Sequence, residues 1–242
     1  MIQLYIGNKN YSSWSMRPWV LLRQAGIPFR EVMVRFDSFE AGSAFRQTVG
    51  ALNPAGKVPV LVDEGLVIWD TLAIAEYLAE TFPAHALWPA DRRARARARS
   101  VCAEMHSGFA ALRRACPMNI EARLPDIGAL ALRDQPAVRA DLERLITMWT
   151  GLLTDSGADA APPEAAARGE AGFLFGAFGI ADAYFAPVVM RILTYALPVP
   201  PAVQAWIDRL LATDGVRAWI EDALAEQDFL DFEEPYRLGR AG

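Results

Sequence analysis

Asn53-Pro54-Ala55-Gly56-Lys57-Val58-Pro59-Val60-Leu61-Val62-Asp63-Glu64-Gly65-Leu66-Val67-Ile68-Trp69-Asp70-Thr71-Leu72-Ala73-Ile74 carries a strand entry, a hairpin and a helix start in one run. Two short apolar stretches, Val60–Val62 and Leu66–Trp69, are split by Asp63-Glu64-Gly65, which reads as a hairpin turn. Pro59 removes a ladder hydrogen bond, so it belongs at the start or edge of its strand. A cis Val58–Pro59 bond would turn the Val58 N–H and C=O toward a ligand, and an extended peptide would pair with them as an added strand. The alternative is a simple strand-entry turn. Asp70 or Thr71 is a natural N-cap for a helix over 70–82, with Leu72, Ile74, Ala75 and Leu78 as its apolar residues. Capping alone explains those two residues; a carboxylate and a hydroxyl there also suit the ammonium and carboxylate of a ligand.

Toward the N-terminus the pattern alternates. Gln3–Gly7 reads as a strand, Met16–Ala25 as a helix stopped by Gly26 and Pro28, and Glu31–Arg35 as a second strand, with a looser helical stretch over Ser43–Gly50. The predicted order is βαβαββα. Its βαβ opening requires parallel strands and a right-handed crossover, and the hairpin adds antiparallel ones. Around Pro83–Pro89 the alternation stops. Segments near Arg92–Cys116, Gln135–Thr154, Ile180–Tyr195, Pro201–Thr213 and Val216–Glu226 have helical periodicity only. Residues 155–172, rich in Ala, Pro and Gly, read as an exposed loop, and no internal repeat is present. The division expected is an α/β unit over 1–82, a linker over 83–89 and an all-helical unit over 90–242.

The chain's 242 residues are enough to bury a substantial core, and 53% hydrophobic with 22% charged residues is globular. No apolar run approaches the ~20 residues of a membrane span. The N-terminal Met1–Ile6 runs straight into a strand pattern without a basic, cleavable leader, so a cytoplasmic protein is expected. A net charge of −5 gives no long-range attraction to nucleic acid. The Arg/Ala alternation over 91–99 spreads its charges around a helix and reads as a solvated helix start rather than a polyanion site. Two cysteines (Cys102, Cys116) and two histidines (His85, His106), without CxxC spacing, make neither a metal site nor a disulfide framework.

A second motif is Tyr11-Ser12-Ser13-Trp14-Ser15-Met16-Arg17-Pro18, between the first strand and first helix. Pro18 suits a first helical turn, which sets Ser12 and Ser13 just ahead of it. Free backbone donors and the helix dipole favour anions at that spot, although plain N-capping is what serines do there most often.

Together these motifs resemble the glutathione transferase superfamily: Ser-Ser-x-Ser before the first helix, Asn-Pro-x-x-x-Val-Pro, and Asp-Thr-x-Ala-Ile-Ala-Glu-Tyr-Leu. The serine cluster is most similar to the zeta class and related bacterial branches. Phe178-Gly179-Ile180-Ala181-Asp182 resembles the superfamily's buried N-capping box, so nearly the whole chain is covered. The fold implied is a thioredoxin-like domain followed by an all-helical one.

By that resemblance Ser12 is the catalytic hydroxyl, donating a hydrogen bond to the sulfur of glutathione, with Ser13, Ser15 and Tyr11 as rivals. A thiol of pKa about 8.5 is only about 3% ionised at pH 7, and a drop of about two units makes it roughly three-quarters ionised. The resemblance also assigns glutathione contacts to Ser13, Trp14, Lys57, Val58, Pro59, Asp70 and Thr71. Val58 would pair with the cysteinyl backbone, Asp70 and Thr71 with the γ-glutamyl end, and Lys57 with a carboxylate. Glutathione is then a co-substrate, and no metal is implied. Asp70 stands where Glu or Gln is commoner, Trp14 where a smaller residue is, and Gly179 where Ser or Thr caps, leaving Asp182 as a folding residue. No cysteine lies in 12–15, which argues against an enzyme-linked mixed disulfide.

A pocket for a second substrate is expected from His106, Phe109 and Arg113, spaced to share a helix face, with Met118 and Trp14 as further walls. Core histidine and surface arginine are the competing readings. Three functions follow: glutathione attack on a small, partly apolar electrophile; zeta-like cis–trans isomerisation of a maleyl-type diacid held by Arg17 or Arg113; or a non-catalytic binding module. The family implies a homodimer, with no nucleic-acid or membrane partner. The tail after Phe229 would cover the cleft or pack on the surface.

Overall fold

The computed structural model describes residues 1–155 and 171–237. Strand β1 (Ile2–Ile6) lies parallel to β2 (Phe29–Met33) and antiparallel to β3 (Val60–Asp63), which pairs with β4 (Leu66–Ile68), giving the order β2-β1-β3-β4. Helices α1 (Ser13–Gln24), α2 (Ala44–Leu52) and α3 (Thr71–Thr81) complete the βαβαββα unit predicted. Period-two alternation decides its layering. Ile2, Leu4 and Ile6 face the large core shared with α1, α3 and the helical half, while Val60 turns to the other face against Phe45 and Val49 of α2.

The helical half comprises α4 (Arg92–Ser107), α5 (Ala110–Ala115), α6 (Pro125–Asp134), α7 (Pro136–Asp155), α8 (Ile180–Thr194), α9 (Pro201–Leu211) and α10 (Asp214–Ala225). Helix α8 is buried nearly all round, as an element apolar on every face must be, and packs on α1 and α4. Its N-terminus is held by Asp182, which accepts the N–H groups of Gly179 (3.1 Å) and Leu174 (3.0 Å) and the indole N–H of Trp206 (3.0 Å). Burial pushes this carboxyl up to about 6 against the opposing pull of those bonds.

Three expectations shift. The single helix expected over Arg92–Cys116 is two, because Gly108 ends α4 and Phe109 adopts φ 56°, a left-handed conformation no helix continues through. Helix α6 lies where no helix was expected, with Pro125 at its first position. Helix α1 begins at Ser13 instead of Met16, so Pro18 sits in the second turn, where it cannot donate to the Trp14 carbonyl. The loop expected over 155–172 falls mostly outside the described residues. Among the described residues no helix is long and apolar enough to cross a membrane, and no group of three or more His, Cys, Asp or Glu is placed to hold a metal ion.

Candidate functional site

Ser12 occupies the N-cap position of α1, yet its side chain makes no capping bond. Its Oγ instead donates to Ser15 Oγ at 2.7 Å, and Ser15 accepts the Gly7 N–H at 3.2 Å. Ser15 is fully buried, whereas Ser12, nearly buried, lines a cavity of about 630 Å³. The hydroxyl therefore stands at the positive end of a twelve-residue helix, anchored from behind and open in front.

Across the cavity mouth lies the 53–59 turn. Buried Asn53 pins it by accepting the Gly56 N–H (3.1 Å) and donating to the Lys57 carbonyl (3.2 Å). Gly56 has φ +58°, a left-handed conformation that favours glycine in this turn. The Val58–Pro59 peptide is cis. The Val58 N–H and C=O make no hydrogen bond within the described structure.

A smaller cavity of about 210 Å³ adjoins the first and shares Trp14, Lys57, Val58 and Arg113 with it. Asp70 caps α3, accepting the Leu72 N–H at 3.3 Å, and Thr71 Oγ1 lies 2.6 Å from the Tyr184 hydroxyl. His106 joins this group from the helical half. Its Nε2 is 3.4 Å from Asp70 Oδ2 and its Nδ1 is 3.2 Å from the Tyr184 hydroxyl, whose proton burial makes hard to lose.

Trp14 forms the partition. Its ring lies 4.0 Å from the Arg17 guanidinium, 5.0 Å from that of Arg113 and 5.1 Å from the His106 ring. Arg17 is buried, donating to the carbonyls of Ser13 (2.9 Å) and Tyr184 (3.0 Å). Burial lowers it to about 9, which leaves it a cation at neutral pH. Arg191 is equally buried, gives one Nη to the Cys116 carbonyl at 2.5 Å, and is lowered to about 10 by the same cause. It lines the larger cavity with Arg46, Lys57, Arg113 and Arg114, against a single carboxylate among the described residues, Glu233.

Of the residues singled out in the sequence, Ser12, Ser13, Trp14, Lys57, Val58, Arg113 and Met118 line the larger cavity, and Pro59, Asp70, Thr71 and His106 the smaller. Two assignments change. Phe109 is buried in the core and lines neither cavity, because the left-handed turn at its own Cα breaks the helix face it was expected to share with His106 and Arg113. His106 lies beside Asp70 instead of in the larger cavity.

Sequence reasoning missed the clamp on the serine loop. Gly7–Ser12 is wholly buried despite its polarity, because each side chain from Asn8 to Tyr11 or its N–H meets a partner from the helical half. Asn8 donates to Asp228 (2.8 Å). The Lys9 N–H donates to Glu226 (2.6 Å), Asn10 to Asn119 (3.1 Å), and the Tyr11 hydroxyl to Glu234 (2.6 Å). The run Asn-Lys-Asn-Tyr was the available signal: four polar residues between a buried strand and a helix, too short to be a solvent-exposed excursion. The tail thus covers the cleft side of that loop, with Phe232 packed edge-on to Phe39 at 5.3 Å.

Residues 11–81 match the family model of the glutathione S-transferase N-terminal domain. The chain is 30% identical over 208 residues to a maleylacetoacetate isomerase of Pseudomonas aeruginosa, covering 85% of this chain and 86% of that one. It is 37% identical over 106 residues to a probable maleylacetoacetate isomerase of Caenorhabditis elegans, a match spanning 44% of this chain and 47% of that protein. A glutathione transferase homolog from Burkholderia GL BGR1, crystallised with bound glutathione, superposes with TM-score 0.65 at 27% identity, over 93% of this chain and 99% of that one.

Proposed function

Because this chain belongs to the glutathione transferase superfamily, in its zeta-like branch, we propose that it binds glutathione and holds it as a thiolate for attack on a small, partly apolar electrophile. The observation that carries this reading is the Ser12 hydroxyl, which sits at a helix N-terminus, does not cap it, and faces the larger cavity. Hydroxyls rotate to suit their partners. Ser15 has a proton to give, so it can turn that proton onto Ser12 Oγ and free the Ser12 proton for a sulfur. A hydrogen bond to the charged form, together with the helix dipole, lowers a thiol's pKa; a drop of about two units corresponds to roughly 2.7 kcal/mol. The unpaired Val58 peptide suits the cysteinyl backbone of glutathione as a short added strand. The Asp70–Thr71 pair in the smaller cavity suits the γ-glutamyl ammonium and carboxylate. The family's two-fold dimer belongs to the same reading.

The test is ultraviolet difference titration of bound glutathione against pH in wild type and Ser12→Ala. A thiolate band titrating well below about 8.5 in wild type, and lost in the folded variant, is expected. An unchanged titration in Ser12→Ala sinks the assignment.

A second reading has its own support. Five cations face the larger cavity, which favours a substrate bearing carboxylates. In a cis–trans isomerisation the thiolate adds to one carbon of a cis double bond, and rotation occurs about the resulting single bond. Expulsion of the thiolate then restores the double bond as trans, consuming nothing. Arg113, on the wall of both cavities, is placed to hold a carboxylate. Arg17 is not, being tied to two carbonyls beneath Trp14. Glutathione-dependent turnover of maleylacetone is expected under this reading, and its absence removes it.

A further inference from the structure

Glu233 is out of character with the wall it stands in. Among the described residues it is the one carboxylate lining a cavity whose other charged residues are all cations, and it arrives on the segment that follows the last α-helix. Its carboxylate makes no hydrogen bond and no ion pair within 4 Å among the described residues, although the field of Arg191 reaches it. Arg191 spends one Nη on the Arg113 and Cys116 carbonyls and lines the same cavity. A carboxylate and a guanidinium on the wall of one cavity, both half-buried or deeper and not ion-paired with each other, both act on any third charge that enters it.

The tail is held so that this carboxylate stays put. Leu230 donates its N–H to the Tyr11 hydroxyl (3.3 Å), which in turn donates to Glu234 (2.6 Å), and Asp228 pairs with Arg35. Glu233 lies in the 3-10 turn Asp231–Glu233 between those anchors. Its position in the cavity is therefore fixed by its neighbours and not by any bond of its own, which is the arrangement expected of a group whose task is to meet a ligand.

We propose that Glu233 is the residue that sets the charge of the second substrate. It places a carboxylate on the same cavity wall as Arg191 and so weakens the hold of the cation-lined cavity on an anionic electrophile. This rests on the transferase reading above, since it presumes that the electrophile enters this cavity. It also bears on the choice between the two readings: Glu233 weakens the cation-lined cavity's preference for a second carboxylate on the substrate, and its removal strengthens that preference.

The experiment compares two electrophiles from which a thiolate displaces chloride, neutral 1-chloro-2,4-dinitrobenzene and anionic 4-chloro-3-nitrobenzoate, in wild type, Glu233→Gln and Glu233→Asp. The ratio of KM for the anion to KM for the neutral compound is expected to fall about tenfold in Glu233→Gln, the scale of relieving a like-charge contact at a partly desolvated site. It is expected to return toward wild type in Glu233→Asp. An unchanged ratio, or equal changes for both compounds, overturns the proposal. Calorimetric titration of 4-chloro-3-nitrobenzoate into each protein without glutathione separates the two failures. Tighter binding to Glu233→Gln in the absence of any turnover upholds the charge filter while the transferase reading fails. Equal binding to all three proteins overturns the filter whatever the turnover.

Discussion

Asp182 and the loop from Asn8 to Tyr11 both bury polar groups beside the same core, but they find their partners at different ranges. Asp182 bonds to N–H groups three and eight residues away and to one indole twenty-four residues on. The loop bonds to side chains 220, 217 and 223 residues away for Asn8, Lys9 and Tyr11. A local cluster closes as its helix forms and then serves as a fixed joint. A cluster closed by the far end of the chain ties the position of the serine hydroxyl to whatever the tail does. The first arrangement is a device for folding and the second a device for holding a site.

The sharpest way to break this comparison is at Asp182. Asp182→Ala strands three donors in the interior, and each unsatisfied buried group costs about 1–3 kcal/mol. The expected loss is roughly 3–5 kcal/mol, read as a fall in Tm of about 10 °C or more. The fraction that stays folded should still bind its thiol substrate with wild-type affinity. A pH effect accompanies it. Burial raises the native carboxyl from 3.8 to about 6, so between those values the folded chain holds a proton that the unfolded chain has released. The stability this group contributes is therefore greatest below about pH 4 and is lost as pH rises through about 6. Asp182→Asn removes that slope. Denaturant unfolding at several pH values measures both effects, and a thiol-binding defect in folded Asp182→Ala would erase the distinction between the two clusters.

The same contrast explains what was legible in the sequence. The 53–74 run was readable because its signals are local: a proline that forbids a ladder bond, an Asp-Glu-Gly turn, and an Asp cap two residues before an apolar stripe. Asp182 was readable for the same reason. Phe109 was misplaced because a left-handed residue after Gly108 interrupts a helix that composition alone would continue. The long-range partners of Asn8, Lys9, Asn10 and Tyr11 leave no periodic trace, since a carboxylate at 226 or 234 looks like any surface acid until the tail is placed. Lys9 is the extreme case. A lysine within a polar loop reads as solvated, yet it lies against both the Trp19 and Trp219 rings, at 4.5 and 5.5 Å, and pairs with Glu31 (2.8 Å) and Asp222 (2.5 Å). The cavity's charge was equally hidden, since Arg191 lies on a helix whose other residues are almost all apolar.

A smaller perturbation sharpens the comparison from the other side. Tyr11→Phe keeps the ring in its cluster with Phe36 and Phe45 but removes the hydroxyl that joins Glu234, Asp228 and Leu230. Glu234 keeps its pairing with Arg237, so no charge is left wholly alone. Of the three bonds lost, the one to the charged acceptor Glu234 is worth about 1.5–3 kcal/mol, felt by the tail and only in part by global unfolding. A chain of this length then loses no more than a few degrees of Tm. Turnover should suffer more, because the released segment carries Glu233 and the neighbouring residue is Ser12. A three- to tenfold fall in kcat/KM is about 0.7–1.4 kcal/mol of transition-state stabilisation. Such a fall, with the melting curve nearly unmoved, is the outcome a site-holding clamp predicts. The reverse pattern, a large loss of stability with unchanged turnover per folded molecule, would make the tail a packing element like the Asp182 joint.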